Sequence, residues 1–140
     1  MERRVINQKL ESLRNCIVRI ESKTPQAVET MSSDYDVQDI ISVNLERAVQ
    51  CCLDITAHIA ADFDDVGDFS AASMFLEMTK HGVLSAPVAE ELSRAAGFRN
   101  LLVHRYASID WSRVYLFITS KLGIFRDFAA QVDAYSIKTK

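Results

Sequence analysis

Arg99, Asn100 and His104 are the residues whose types and spacing could do chemistry. An imidazole exchanges protons near neutral pH. A guanidinium is a permanent cation whose planar fork can hold a phosphate or a carboxylate through two bonds. An amide can orient either of them. All three lie in the stretch Gly97-Phe98-Arg99-Asn100-Leu101-Leu102-Val103-His104-Arg105-Tyr106, which continues an apolar helical pattern begun at Val88. With Arg99 as origin and about 100° per residue, Asn100 falls near 100° and His104 near 140°, with Leu92 and Ala96 inside or beside that sector. Polar groups thus flank an apolar stripe, and burying them unpaired costs several kcal/mol. Two readings fit this spacing. One is an interhelical polar network, with Arg99 on a carboxylate, Asn100 bridging backbone and His104 on the rim. The other is a site that handles an anion and a proton.

Arg99, His104 five residues on and Tyr106 two further, with polar Asn100 directly after the arginine, resemble the motif of the HEPN ribonucleases, and within them the HepT-type toxins of prokaryotic toxin–antitoxin pairs. The run Asn44-Leu45-Glu46-Arg47-Ala48-Val49-Gln50, with Asp54 and His58, is similar to that family's second helix. The resemblance therefore spans most of the chain and favours the second reading. It implies a metal-independent endoribonuclease that needs no cofactor, with Arg99 and His104 catalytic and Asn100 orienting phosphate or imidazole. The chemistry agrees. RNA is cut without metal when its 2′-hydroxyl attacks the adjacent phosphate, which needs a group to move protons and a fixed cation for the charge developing on phosphorus.

One motif offers one imidazole, whereas the reaction needs both a base and an acid. The resemblance implies a homodimer whose active cleft lies between two protomers, and Asp54 and His58 could line that cleft. By position it also makes Tyr106 the acceptor of adenylyl groups placed by a partner nucleotidyltransferase antitoxin of the MNT type. A bulky anion there would block RNA by volume and by charge. Read without the resemblance, Tyr106 is a half-buried aromatic with a wet hydroxyl, and Arg105 a surface charge. Two alternatives stay open: a non-catalytic nucleotide-binding or regulatory subunit of a nucleotidyltransferase, and a structural helical dimer.

The elements that must position these residues are all helical. Ile6, Leu10, Leu13, Ile17 and Ile20 form one stripe over a helix from Glu2 to Ser22. Thr24-Pro25 disfavours helix, leaving 24–33 as a connector with at most a short helical turn. Ser33 or Asp34 caps a second helix, striped by Ile41, Leu45, Ala48, Cys52, Ile55 and Ile59 and ending near Asp62. Asp64, Asp65, Gly67 and Asp68 mark a loop. A third helix spans Ser70 to His81, with Gly82 as its left-handed cap. Ser85 caps the fourth, with Pro87 tolerated in its first turn, and this helix frays by Ser108. Asp110 caps a fifth, whose stripe is Trp111, Tyr115, Ile118, Leu122, Phe125, Ala129 and Val132. A second row, Val114, Phe117, Ile124 and Phe128, makes that helix apolar on two sides and a candidate for a subunit contact. The expected architecture is all-α and HEPN-like, an up-and-down bundle of four to five helices, forming one domain over 1–136 with a loose tail over 137–140.

The whole chain narrows the function classes. Its 140 residues suit one domain, and 49% are apolar, enough to bury a core. No apolar run approaches the ~18–20 residues of a membrane helix, and Met1-Glu2-Arg3-Arg4 lacks the apolar run of a signal peptide. The expected partners therefore exclude a membrane, and the expected location is the cytoplasm. Cys16, Cys51 and Cys52 read as reduced core residues. There is no phosphate-cradling Gly loop, no cysteine pair at zinc spacing and no Glu-x-x-His pair for a di-metal bundle. Asp54/His58 and Glu77/His81, each four apart, read first as ordinary helix-face hydrogen bonds. The net charge of −3 hides a segregation. Residues 29–79 hold eleven acidic and one basic group, and residues 80–140 hold nine basic and five acidic. This is either uneven solvated faces or a basic surface able to meet phosphate.

Overall fold

The computed structural model describes residues 2–65, 67, 70–104 and 109–138, and of residues 103 and 104 the backbone alone. Among the described residues the chain forms seven helices: α1 (Arg3–Lys23), α2 (Val28–Ser33), α3 (Tyr35–Ala60), α4 (Ala71–Lys80), α5 (Ala86–His104), α6 (Trp111–Ser120) and α7 (Gly123–Lys138). The all-α expectation holds, with two refinements. The connector carries a real short helix, and the expected fifth helix is two.

The stripe of α1 is buried from Ile6 to Ile20 and packs along α3. The Glu2 backbone N–H meets His58 Nε2 at 3.2 Å, and Lys9 meets Asp54 at 3.0 Å, so the two helices run antiparallel. After Thr24-Pro25 the chain forms α2, whose Met31 is completely enclosed. Asp34 then ends α2 and starts α3 at once. Its N–H closes the last turn on Thr30, while its carboxylate accepts from the N–H groups of Asp36 and Val37. Capping by an acid satisfies orphan donors and opposes the helix dipole. The six predicted stripe residues of α3 are all buried, and Gln38, Ser42, Asn44, Val49, Cys51, Leu53 and Thr56 are buried beside them. A helix buried this far around lies at the centre of the bundle.

Gly82 takes a φ of 71°. Its N–H bonds Thr79 O, and the Val83 N–H bonds Met78 O, the paired bonds by which a left-handed residue closes a helix. The turn reverses the chain into α5, whose Ser93 hydroxyl bonds back to Ala72 O in α4. Ser85, at the start of α5, exchanges hydrogen bonds with the Gln131 side chain of α7. Arg14 faces Asp133, and Arg126 faces Glu21, so α7 lies antiparallel to α1.

Near the break between α6 and α7 the Thr119 hydroxyl bonds back to Tyr115 O and the Ser120 hydroxyl to Leu116 O, bonding that bends a helix. The break lets one stretch bury both apolar rows. Val114, Ile118, Leu122, Ile124, Phe125, Phe128, Ala129 and Val132 are all in the core, and Phe117 stacks on Phe98 of α5 at 5.5 Å. The surplus apolar face expected for a subunit contact is thus used within the chain. At the end, α7 continues through buried Ser136 to Lys138, two residues into the stretch read from sequence as a tail. The three cysteines are free and buried, and burial pushes each thiol's pKa up, that of Cys52 furthest. Among the described residues no helix is long and apolar enough to cross a membrane.

Candidate active site on α5

The packed face of α5 is built from Val88, Ala89, Leu92, Ala95, Ala96 and Leu102, all buried. Around the helix, Leu92 lies about 20° from Arg99, Ala95 about 40°, and Ala96 and Leu102 about 60° to either side. Arg99 therefore stands in the middle of the packed face rather than at its edge. Two alanines beside it leave room for a long side chain to lie against the bundle and carry its head outward. Arg99 is half-buried, and Asn100 is exposed.

A charge in that position needs partners, and α3 supplies one. Arg99 Nη2 donates to Gln50 Oε1 at 2.8 Å. Gln50 Nε2 donates in turn to Asp54 Oδ1 at 2.8 Å, and Lys9 Nζ on α1 donates to Asp54 Oδ2 at 3.0 Å. The Asp54 hydrogen bond and charge raise the Lys9 pKa, so the lysine stays charged. The result is a chain across three helices: cation, amide, carboxylate, cation. The Arg99 Nε–H is enclosed and has no hydrogen-bond partner among the described residues, which for a charged donor demands an explanation.

Of the residues singled out by sequence, Arg99 and Asp54 belong to one network, joined through Gln50. His58 sits one turn along α3 and accepts from the Glu2 backbone instead, so Asp54 and His58 each take other partners than one another. Asn100 shares the outward side of α5 with Gly97 and Leu101, the latter 42% exposed. His104 is the last residue of α5, and its side chain lies outside the described residues, as does all of Tyr106. Gln50 and Lys9 are the residues that sequence reasoning missed. For Gln50 a signal existed, because Gln50, Asp54 and His58 recur every four residues on a helix whose predicted stripe is apolar. For Lys9 there was none, since the register of α1 on α3 is a tertiary fact.

The basic groups of the C-terminal half meet both expectations of their charge in different places. Arg126 forms a solvated pair with Glu21 across α7 and α1. Arg94, Arg113 and Lys121 line a groove between α5 and α6, floored by Phe98 and Phe117, where Arg94 and Lys121 share the carboxylate of Glu91.

Known proteins resemble this chain over nearly its full length. A family model described as ribonuclease HepT-like matches residues 13–132. The chain is 25% identical over 130 residues to the mRNA nuclease HepT of Shewanella oneidensis, spanning 93% of this chain and 97% of that protein. It is 24% identical over 133 residues to the tRNA nuclease HepT of Aphanizomenon flos-aquae, spanning 95% and 90%. In three dimensions it is similar, with a TM-score of 0.87 and 25% identity, to a tri-AMPylated Shewanella oneidensis HEPN toxin solved in complex with its MNT antitoxin. That likeness covers 96% of this chain and 99% of the toxin.

The amide link between α3 and α5 can be measured. A double-mutant cycle of Gln50→Ala and Arg99→Ala, read by urea denaturation, is expected to give a coupling of ~1 kcal/mol, the size of a charge-assisted bond at a half-exposed site. Additive effects of the two changes would mean that the bond does not form in solution.

Proposed function

Because the chain belongs to the HepT-like ribonuclease family, we propose that it is the toxin of a toxin–antitoxin pair, a metal-independent endoribonuclease working in the cytoplasm. The observation that carries this reading is the placement of Arg99. A cation at the centre of a packed helix face, whose hydrogen-bond partner among the described residues is a neutral amide, keeps its charge for an incoming phosphate. In the proposed reaction His104 takes the proton from a ribose 2′-hydroxyl, and the 2′-oxygen attacks the adjacent phosphorus. The P–O5′ bond breaks, and the departing 5′-oxygen takes a proton from an acid. The products are a 2′,3′-cyclic phosphate and a 5′-hydroxyl end. Arg99 stabilises the charge gathered on the phosphorane oxygens, and Asn100 orients the phosphate. Asp54 acts on Arg99 through Gln50, and His58 is a more distant lining candidate. The cations of the α5–α6 groove support an approach of RNA from that flank.

The second proton-transfer group comes, in this proposal, from a second copy of the chain. Support comes from α5 rather than from the split fifth helix. Gly97 lies mid-helix on the outward side, with nothing within 4 Å of where a Cβ would stand. Glycine there costs the helix roughly 0.5–1 kcal/mol relative to alanine, an expense that a close crossing by a partner helix would explain. Exposed Leu101 is one turn on. An MNT-type nucleotidyltransferase antitoxin is the proposed regulator, with Tyr106 as the adenylyl acceptor. The Shewanella toxin solved with its antitoxin carries three AMP groups. Tyr106 is seven residues from Arg99, nearly two helical turns if the helical pattern persists, so an added phosphate could pair with Arg99 and occupy the cation that RNA needs.

Three outcomes are expected. Arg99→Ala and His104→Ala should each cut the cleavage rate by ~10²–10⁴-fold with helicity retained, while chelators leave the wild-type rate unchanged. A wild-type rate in either variant, measured on total RNA with end-group analysis, removes that residue from the mechanism. Sedimentation should give twice the chain mass at micromolar concentration, and a monomer there would end the composite-site argument. Tyr106→Phe should stay folded and toxic yet resist a co-expressed nucleotidyltransferase, whereas the wild type gains mass in adenylyl units on its Tyr106 peptide. Equal neutralisation of both, with no mass added, would point to inhibition by binding alone.

A further inference from the structure

Away from α5, the connection between α3 and α4 gathers three metal-ligating side chains of mixed chemistry. Asp65 comes from the connection itself, Glu77 from the last turns of α4, and His81 from the residue that caps it. Their donor atoms all lie within 4.8 Å of one another. Glu77 and His81 are four apart and so share one helix edge, but the expected direct bond along the helix is not what organises them. His81 Nε2 points instead at Asp65 Oδ1, 2.9 Å away.

Three observations make this more than a knot of surface acids. The imidazole is 18% exposed and the Glu77 side chain 13%, so two of the three donors are largely withdrawn from water. His81 Nε2 is itself enclosed and, among the described residues, has its 2.9 Å contact with the Asp65 carboxylate but no hydrogen bond of regular geometry. The ring is also held: it stacks on Phe63 with centroids 3.8 Å apart and planes 14° from parallel. A fixed imidazole with one carboxylate against its enclosed nitrogen and a second within 4.8 Å of its donor atom is arranged for a ligand that the three share.

We propose that Asp65, Glu77 and His81 bind a divalent transition-metal ion, with Zn²⁺ the best match to the donors. One imidazole nitrogen and two carboxylate oxygens suit zinc, whereas calcium and magnesium prefer all-oxygen shells. Donors about 2.0–2.1 Å from a tetrahedral ion lie roughly 3.3 Å apart, so binding would draw these three, now within 4.8 Å, closer together. Water completes the shell from the solvent side, where Asp65 is 64% exposed. Lys80 Nζ, 3.2 Å from Glu77 Oε2, occupies part of the charge well at present, but its side chain is 70% exposed and can turn away. The bound ion would pin the α3–α4 connection to the end of α4. It is independent of the nuclease reading, since none of the proposed catalytic residues takes part.

The test uses the full chain, freed of metal with a chelator and then titrated with ZnCl₂ by calorimetry, with Co²⁺ visible absorption as a second probe. One ion per chain is expected. At a hundredfold excess over Kd, the melting temperature should rise by roughly 5–15 °C. Asp65→Asn and Glu77→Gln should each weaken binding at least ~10-fold and His81→Ala more. Asp65→Asn should cleave RNA at the wild-type rate with or without chelator, so failure of this site and failure of the nuclease assignment are separate results. Should His81→Ala lose helicity, the two carboxylate variants decide alone. The proposal is overturned if Zn²⁺ shows no saturable binding up to millimolar concentration. It is equally overturned if binding is unchanged in Asp65→Asn and Glu77→Gln, which would move the ion elsewhere, for example to the cysteine thiols.

Discussion

The interaction on which the rest depends is the hydrogen bond from Arg99 to Gln50. A guanidinium in the middle of a packed helix face cannot be left alone, and a carboxylate would be the stronger partner. That solution would also neutralise the cation and tie up its fork. The amide of Gln50 satisfies one N–H and no more, and it passes the polarisation on to Asp54, which sits beyond it. Asp54 is in turn matched by Lys9. Two cations and one anion share the chain, so a positive charge is left over at the α5 end, where an anionic substrate would arrive. Both ion-paired groups are more than a third exposed, so the network's worth lies less in stability than in geometry.

That geometry rests on the antiparallel register of α1 on α3. Lys9 reaches Asp54 only because Ile6, Leu10, Leu13 and Ile17 lock one helix against the other. A shift by one helical turn, about 5.4 Å, would carry Lys9 past Asp54 and leave the carboxylate to compete for Arg99. The break between α6 and α7 serves the same end from the other side. It lets Phe117 stack on Phe98, the residue before Arg99, while Phe125 turns into the core beneath. The motif helix is thereby held by α3 on one flank and by an aromatic stack on another.

Much of this was legible in the sequence because it is local. The stripes of α1 and α3, the cap at Asp34, the left-handed Gly82 and the cap at Asp110 follow from spacing and residue type, and the structure contains each of them. The break at Ser120–Leu122 was not legible. The apolar pattern runs unbroken from Trp111 to Val132, and only the burial of both rows shows why a single straight helix fails. The candidate site divides the same way. Arg99, His104 and Asn100 stand out by type and spacing, but nothing in the spacing says that Arg99 occupies the packed face while Asn100 stands in solvent. Nor does it say that Asp54 acts through an amide rather than by direct contact, because that depends on how α5 crosses α3.

Charge segregation along the chain acquires a spatial meaning once α3 is in place. Gln50 and Asp54 lie in its second half, while Asp62, Asp64 and Asp65 follow its end. Among the described residues no hydrogen bond joins that acidic connection to the chain from Arg99 through Gln50 and Asp54 to Lys9. Asp65 is paired instead with His81 at the end of α4. An ion captured by Asp65, Glu77 and His81 would change the charge of that connection while leaving Arg99 the partner it has on α3. One cluster can then stiffen the fold while the other keeps its charge for substrate.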